Sequence, residues 1–366
     1  MFSGAYQGRR VLVTGHTGFK GSWLTSWLLK LGAHVVGFSK DVPTKPAMFE
    51  ELRLADRIKH VEGDVRDLGT LRRLIAAERP DFVFHLAAQA IVSTSYDDPV
   101  ETISTNVIGT MNVLDALRMV EHPCVAVLIT SDKCYENVEW IWGYRETDRL
   151  GGKDVYSGSK AAAELVVRSY VHSFFDNGHP VRLAVGRAGN VIGGGDWARN
   201  RIVVDCILAW SEGRSVEIRN PNSTRPWQHV LEPLSGYLAL GQAVSQQPQL
   251  HGEAFNFGPR AEQDHTVVQL LTDLGRQWGL ENSNQAYRTR GDASFHEPAL
   301  LKLNCDKARA YLRWEPNLDF DETVRMIGDW YGAYYRKSGD MYALTQSQIE
   351  QYERVGRERN RVWSAA

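Results

Sequence analysis

The passage from Arg10 to Leu31 constrains the fold most. Arg10-Val11-Leu12-Val13-Thr14 is a short strand that runs straight into Gly15-His16-Thr17-Gly18-Phe19-Lys20-Gly21. From Ser22 to Leu31 apolar residues recur at three and four, at Trp23, Leu24, Trp27, Leu28 and Leu31, which is helical spacing. Gly15 permits a tight turn, Gly18 lets a pyrophosphate approach the backbone, and Gly21 lets helix and strand pack closely. The helix N-terminus adds free N–H groups and partial positive charge. A glycine triplet elsewhere marks only a loop. Between a strand and a helix it predicts a dinucleotide site.

The pattern then repeats. Ala33 to Phe38, Ile58 to Val61, Asp81 to Leu86, Val125 to Ile129 and Val181 to Val185 read as strands. Helical stretches over Leu68 to Ala77, Val100 to Met119 and Asp154 to Phe175 separate them. Such alternation predicts an α/β fold, a doubly wound parallel sheet of Rossmann type, followed by a smaller mixed α/β part. A length of 366 residues also suggests about two domains. The expected division is 1–187 for dinucleotide binding and 188–341 for substrate. The helix from Leu231 to Val244 and the strand from Ala254 return to the first part, and 342–366 form a charged helical tail.

Bulk properties exclude several classes. A net charge of −2 gives no excess for nucleic acid or an anionic membrane. Four cysteines, Cys124, Cys134, Cys206 and Cys305, are too scattered for a metal knuckle or a redox pair, so no metal is expected. Residues 1–10 lack the apolar core of a signal peptide, and no apolar run reaches membrane-spanning length. The expectation is a soluble cytoplasmic protein.

Strand exits carry the polar residues. After the second strand an acid normally binds the adenosine ribose hydroxyls. Here stand Ser39-Lys40-Asp41, with Asp41 two residues late and Lys40 suited equally to a 2′-phosphate. A solvated loop explains both, so NAD and NADP stay open at this point. Asp64 at the third strand's exit can face an adenine, and Asp67 can cap the next helix. After Leu86 the small residues of Ala87-Ala88-Gln89-Ala90 let a flat ring lie against the backbone, and Leu86, Val65, Thr105 and Thr130 are placed on the same wall. His85 reads as a hydrogen-bonded core histidine rather than a ligand. Asn106 is a polar group that needs a reason inside an apolar helix.

The fifth strand ends in Thr130-Ser131-Asp132-Lys133-Cys134-Tyr135. An acid, a base and two hydroxyls thus sit at the sheet edge where ligands bind. Tyr156 and Lys160, four apart, share one helix face. Alone, Asp132 and Lys133 make an ordinary salt bridge; beside Tyr156 and Lys160 they read as a reactive set. The insert from Glu136 to Gly152, with Trp140, Trp142 and Tyr144, either covers the pocket or is a surface loop with its own small core. Arg225-Pro226-Trp227-Gln228-His229-Val230 suits a charged, aromatic ligand such as a nucleotide, with an aromatic packing corner as the alternative.

Together these residues resemble the extended short-chain dehydrogenase/reductase superfamily and, within it, the CDP-glucose 4,6-dehydratase family. The resemblance is carried by residues 14–23, 130–135, 186–197 and 225–234, with Tyr156-x-x-x-Lys160, and spans about residue 8 to about residue 330. It implies an NAD-dependent enzyme that converts CDP-D-glucose to CDP-4-keto-6-deoxy-D-glucose and water, supplying 3,6-dideoxyhexoses to bacterial surface polysaccharide. A homodimer or homotetramer built on packed helices is implied too. Tyr156 and Lys160 match the catalytic pair, Ser131 the hydroxyl beside them, and Asp132 the dehydrating acid. Lys133 stands where dTDP-glucose and GDP-mannose dehydratases carry Glu, which favours CDP-glucose. Asn190 matches the residue that meets the sugar diphosphate. Trp197, Arg201, Arg219, Arg225 and His229 complete the implied substrate set. The rivals are a dehydratase or epimerase of another nucleotide sugar, and a non-catalytic dinucleotide-binding scaffold. With no Asp at Ser39, cofactor choice rests on the family.

Overall fold

The computed structural model describes residues 1–176, 178–218, 220–260, 262–263, 265–289 and 301–365. Seven strands form one parallel sheet: β1 (Arg10–Thr14), β2 (His34–Ser39), β3 (Lys59–Glu62), β4 (Phe82–His85), β5 (Cys124–Ile129), β6 (Val181–Ala188) and β7 (Ala254–Phe257), in the order 3-2-1-4-5-6-7. The helices used below are α1 (Phe19–Lys30), α2 (Leu68–Glu78), α3 (Pro99–Ile103), α4 (Gly109–Leu117), α5 (Val155–Tyr170), α6 (Ile202–Ser211), α7 (Leu231–Gln246), α8 (Phe320–Tyr335) and α9 (Met341–Glu358).

The strands alternate their side chains between two cores. Val11, Val13, Phe82, Phe84, Val125 and Val127 pack with α1 and α7, while Leu12, Val83, Ala126 and Leu128 pack with α2, α4 and α5. Each such Val, Leu or Phe stabilises by roughly 1.5–3 kcal/mol when fully buried. Burial on both faces is why the central strands β1, β4 and β5 read as near-continuous apolar runs, whereas the edge strand β3 is largely exposed. Strand order reverses between β1 and β4, whose following helices take opposite faces, so a crevice opens at their C-terminal ends.

Two elements depart from the sequence reading. The single helix expected from Val100 to Met119 is α3 and α4 joined by a π turn over Ser104–Ile108. That wide turn carries Asn106. Its side-chain oxygen accepts from the Gln89 N–H at 2.9 Å, and its amide donates to the Gln89 carbonyl at 3.0 Å and to Ser159 Oγ at 2.8 Å. Asn106 therefore ties the β4 exit to α5. β6 runs on to Ala188 because β7 pairs with it as far as Phe257 opposite Ala188. His85 is the bonded core histidine expected, 2.7 Å from Thr14 Oγ1 and 3.1 Å from Thr110 Oγ1.

α7 returns to pack on β5 and β6. The tail helix α9 lies against α1 and α8. Trp27 Nε1 donates to Glu353 Oε1 at 2.9 Å, and Trp363 stacks on Phe2 and Tyr352 with ring centres 5.4 and 5.3 Å apart. The tail is charged outside and aromatic inside. Among the described residues no helix is long and apolar enough to cross a membrane.

Candidate active site

The turn after β1 forms one end of a cavity of about 820 Å³. Gly15 has φ +76°, a left-handed conformation, and a Cβ there would lie 2.6 Å from the Ala87 nitrogen. A Cβ on Gly21 would lie 2.1 Å from the Gly15 carbonyl oxygen. Gly18 is the N-cap of α1 and offers no side-chain cap, which leaves the first N–H groups available. Every residue assigned to the cofactor wall from the sequence, from Gly15 through Asp64, Leu86, Thr105 and Thr130 to Lys160, lines this cavity.

Its far rim is a chain of charges. Arg66 grips Asp64 with Nε 3.0 Å from each carboxylate oxygen and also donates to Glu101. Lys40 Nζ lies 2.8 Å from Glu101 Oε1. These pairings hold the Asp64 and Glu101 carboxyls below, and the Lys40 ammonium above, their usual ranges. Ser39 Oγ lies 2.9 Å from His16 Nδ1, while His16 Nε2 is 2.8 Å from His60 Nδ1. Burial, reinforced by His60, pushes His16 down to about 4.

The exit of β5 forms the wall between this cavity and a second one. Asp154 caps α5 by accepting from the Ser157 N–H at 2.9 Å, which sets Tyr156 and Lys160 one turn apart. Lys160 Nζ is 6.0 Å from the centre of the Tyr156 ring. Burial pushes the Tyr156 phenol up to about 12; a hydrogen bond with Ser131 and the Arg201 cation oppose this, and Asp132 reinforces it. Burial pushes Lys160 down to about 8. The cation set against Tyr156's burial is therefore Arg201, where Lys160 was the natural candidate. Ser131 Oγ donates to Asp132 Oδ1 at 2.9 Å and accepts from the Lys133 N–H at 3.2 Å. Ser131 thus stands between the Tyr156 phenol, whose pKa it lowers, and the Asp132 carboxylate, to which it donates. Gly189, past the end of β6, presses on Asp132: a Cβ there would come 1.9 Å from Asp132 Oδ2.

The second cavity, about 600 Å³, shares Lys20, Ser131, Tyr156, Asp196 and Arg201 with the first. It continues past Asp132, Lys133 and Asn190 to Glu217, Arg225 and Trp227. Of the expected substrate residues, Ser131, Asn190, Arg201 and Arg225 line it. Trp197 does not: it lines the first cavity and packs on Tyr334, ring centres 4.9 Å apart, because its segment turns into the aromatic core. His229 reaches neither cavity. It is fully buried edge-on to Trp23 and accepts from the Leu231 N–H at 3.3 Å, and burial pushes it down to about 3. Arg219 lies outside the described residues. The insert from Glu136 to Gly152 lines neither cavity; Trp140 and Tyr144 build a small core with Tyr135, Leu301 and Leu303.

Two residues were missed or half-read. Asp196 lines both cavities and holds Arg201 at 2.5 Å. Its signal was an acid closing the run Gly193-Gly194-Gly195. Lys20, assigned only to the cofactor wall, faces both cavities, and burial with nearby Arg201 pushes it down to about 8. Among the described residues no group of side chains could hold a metal ion.

Known proteins resemble this chain in sequence and fold. A family model described as GDP-mannose 4,6 dehydratase matches residues 12–327. A CDP-glucose 4,6-dehydratase of Salmonella typhimurium is 46% identical over 351 residues, 95% of this chain and 97% of that protein. A CDP-paratose 2-epimerase of Salmonella typhi is 25% identical, covering 88% of this chain and 98% of its own. Among solved structures, a dTDP-glucose 4,6-dehydratase of Streptomyces venezuelae with NAD bound superposes with a TM-score of 0.75. It is 22% identical and covers 90% of this chain and 97% of that one, a likeness of fold. With most of its length matched by one family model and nearly all of it by a relative almost half identical, this chain belongs to the GDP-mannose 4,6 dehydratase family.

Proposed function

We propose that this chain converts CDP-D-glucose to CDP-4-keto-6-deoxy-D-glucose and water, with NAD as its resident cofactor. The observation that carries this reading is the set Tyr156, Ser131 and Asp132, with Lys133 beside it, on the wall between the two cavities. An epimerase needs only the oxidising half of that set. The 46% identity to a CDP-glucose 4,6-dehydratase, and Lys rather than Glu at 133, support the CDP-sugar over its rivals.

The first cavity fits a dinucleotide. Two glycines stand where a Cβ would fill the cradle, and the uncapped start of α1 suits a pyrophosphate. Lys40 is already paired with Glu101, which disfavours a 2′-phosphate and supports NAD. When bound, NAD accepts the C4 hydrogen with its electron pair and gives it back at C6.

The chain's own residues do the rest. Tyr156 takes the proton from O4; the phenol at about 12 needs the nearby cations and a bound substrate to reach the phenolate. Ser131 holds O4 and then hydrogen-bonds the ketone. A ketone at C4 makes the C5 hydrogen acidic, because the carbanion is an enolate. Lys133 removes that proton and Asp132 protonates the departing C6 hydroxyl, which leaves as water. The proton lost by O4 has a path to Asp132 through Ser131, so the oxidation supplies the proton that the elimination consumes. Lys133 returns its proton to C5 as C6 regains hydrogen, and the net loss is one water. If instead Lys133 stays protonated and only stabilises the enolate, a water carries the C5 proton. In Lys133→Ala we expect exchange of the C5 hydrogen with solvent deuterium to stop; retained exchange counts against Lys133 as the sole base.

Asn190, Arg201 and Arg225 are placed to meet the diphosphate. Exposed Tyr96, Val100, Ile103, Ile108 and Leu165 on the helical stretch 92–108 and on α5 support a homodimer formed by helix packing. Four free cysteines suit the cytoplasm. The test is to incubate the purified protein with CDP-glucose, dTDP-glucose, UDP-glucose and GDP-mannose, with and without added NAD, and look for a 4-keto-sugar. CDP-glucose alone is expected to react. Turnover of another donor without CDP-glucose sinks the substrate assignment, and no turnover at all revives the scaffold.

A further inference from the structure

Behind the β5 exit lies a buried ion pair that the reaction above does not use. Glu164 is on α5, four residues after Lys160 and eight after Tyr156, and so shares their face. Arg187 is on β6, and both side chains are 4% exposed. Arg187 Nε lies 2.8 and 2.9 Å from the two carboxylate oxygens, and Nη2 donates to Oε2. The carboxylate also accepts from Thr130 Oγ1 at 2.6 Å. On the other side Arg187 Nη1 donates to the Tyr135 hydroxyl oxygen at 2.7 Å, and that hydroxyl donates to Asn256 Oδ1 at 2.8 Å on β7.

Thr130 immediately precedes Ser131-Asp132-Lys133-Cys134, and Tyr135 immediately follows. The stretch is therefore fastened at both ends to one ion pair. One member of that pair rides on the helix that carries Tyr156 and Lys160. The other rides on the strand whose continuation, at Gly189, presses on Asp132. A buried ion pair adds little net stability, because desolvation offsets the attraction, but it admits few geometries. The two halves of the reaction act on adjacent carbons, and groups that share a reacting centre must hold their places to about 0.5 Å.

We propose that Glu164 and Arg187 are positioning residues that keep the elimination pair, Asp132 and Lys133, in register with the oxidation pair, Tyr156 and Lys160. This rests on the reaction proposed above. The gentlest test is Tyr135→Phe, which removes one hydroxyl and no charge. A second is Glu164→Gln combined with Arg187→Met, which leaves no lone buried ion. For each, kcat, KM, the thermal midpoint and the steady-state fraction of reduced nicotinamide are measured.

Misaligned elimination behind intact oxidation makes reduced nicotinamide accumulate. For Tyr135→Phe we expect kcat to fall about tenfold, KM to stay within about twofold, and the reduced fraction to rise about fivefold or more. A pair that only stabilises the fold lowers activity in proportion to folded protein and leaves the reduced fraction unchanged. That result in Tyr135→Phe overturns the proposal, whether or not the double variant folds. The wild type is the control. If it ignores CDP-glucose but converts another donor, the substrate reading fails and the same readouts with that donor decide the positioning role. If it converts none, both fail.

Discussion

Tyr156 and Lys160 are each pushed by burial toward the neutral form, the phenol to about 12 and the ammonium to about 8. Lys160 lies 6.0 Å from the Tyr156 ring, and below about 8 its charge adds to that of Arg201 in favouring a phenolate. The oxidation step, followed as the single-turnover rate of nicotinamide reduction, should therefore rise with pH up to about 8 and level off above it, because phenolate with ammonium and phenol with amine hold the same number of protons; Lys160→Met should be slower and lack that break. Gly189 gives a second prediction. A methyl at that position must displace the Asp132 carboxyl, so Gly189→Ala should lose about 10²-fold in kcat with little change in cofactor affinity. Titration of the cofactor alongside the kinetics checks both halves of that statement. Residue types at the β5 exit could be read from the chain, but the direction a side chain takes could not. Trp197 and His229 stand among substrate-facing neighbours in sequence, and local backbone turns aim both into the core.

At the scale of elements, Asn106 holds two of them together. It is the side-chain partner of the Gln89 backbone N–H, which lines the first cavity. Asn106→Leu leaves that N–H without it at a cost of about 1–3 kcal/mol, visible in the urea midpoint, and cofactor affinity should weaken with it. The central strands β1, β4 and β5 were readable because both their faces are buried, so few polar residues interrupt them. The π turn was not, since one extra residue in a turn leaves the apolar spacing around it nearly intact. The insert could be read two ways because aromatic residues serve a lid and a small core equally. Leu301 and Leu303, far along the chain, decide it for the core.

Across the whole molecule, Glu232 at the start of α7 joins distant parts. Its carboxylate accepts from the backbone N–H groups of Asn317 and Leu318 and, at 2.8 Å, from the Tyr352 hydroxyl of the tail helix. Burial pushes it up from 4.5 to about 7, with these bonds and Arg361 opposing. The folded chain thus keeps a proton that the unfolded chain has released. The stability this lends is full below about 4.5 and is lost as pH rises through about 7. The loss is on the order of 3 kcal/mol. Urea unfolding of wild type and Glu232→Gln at several pH values should show this component in the former and its absence in the latter.

The tail's grip on α1 also sets a timetable for synthesis. Trp27 and its partner Glu353 are 326 positions apart. At ribosomal speeds of about 5–20 residues per second, Trp27 emerges roughly 16 to 65 s before the residue that covers it. During that interval the helix that follows the glycine turn shows an indole-bearing face to solvent. That face closes only when the tail helix arrives to cover it.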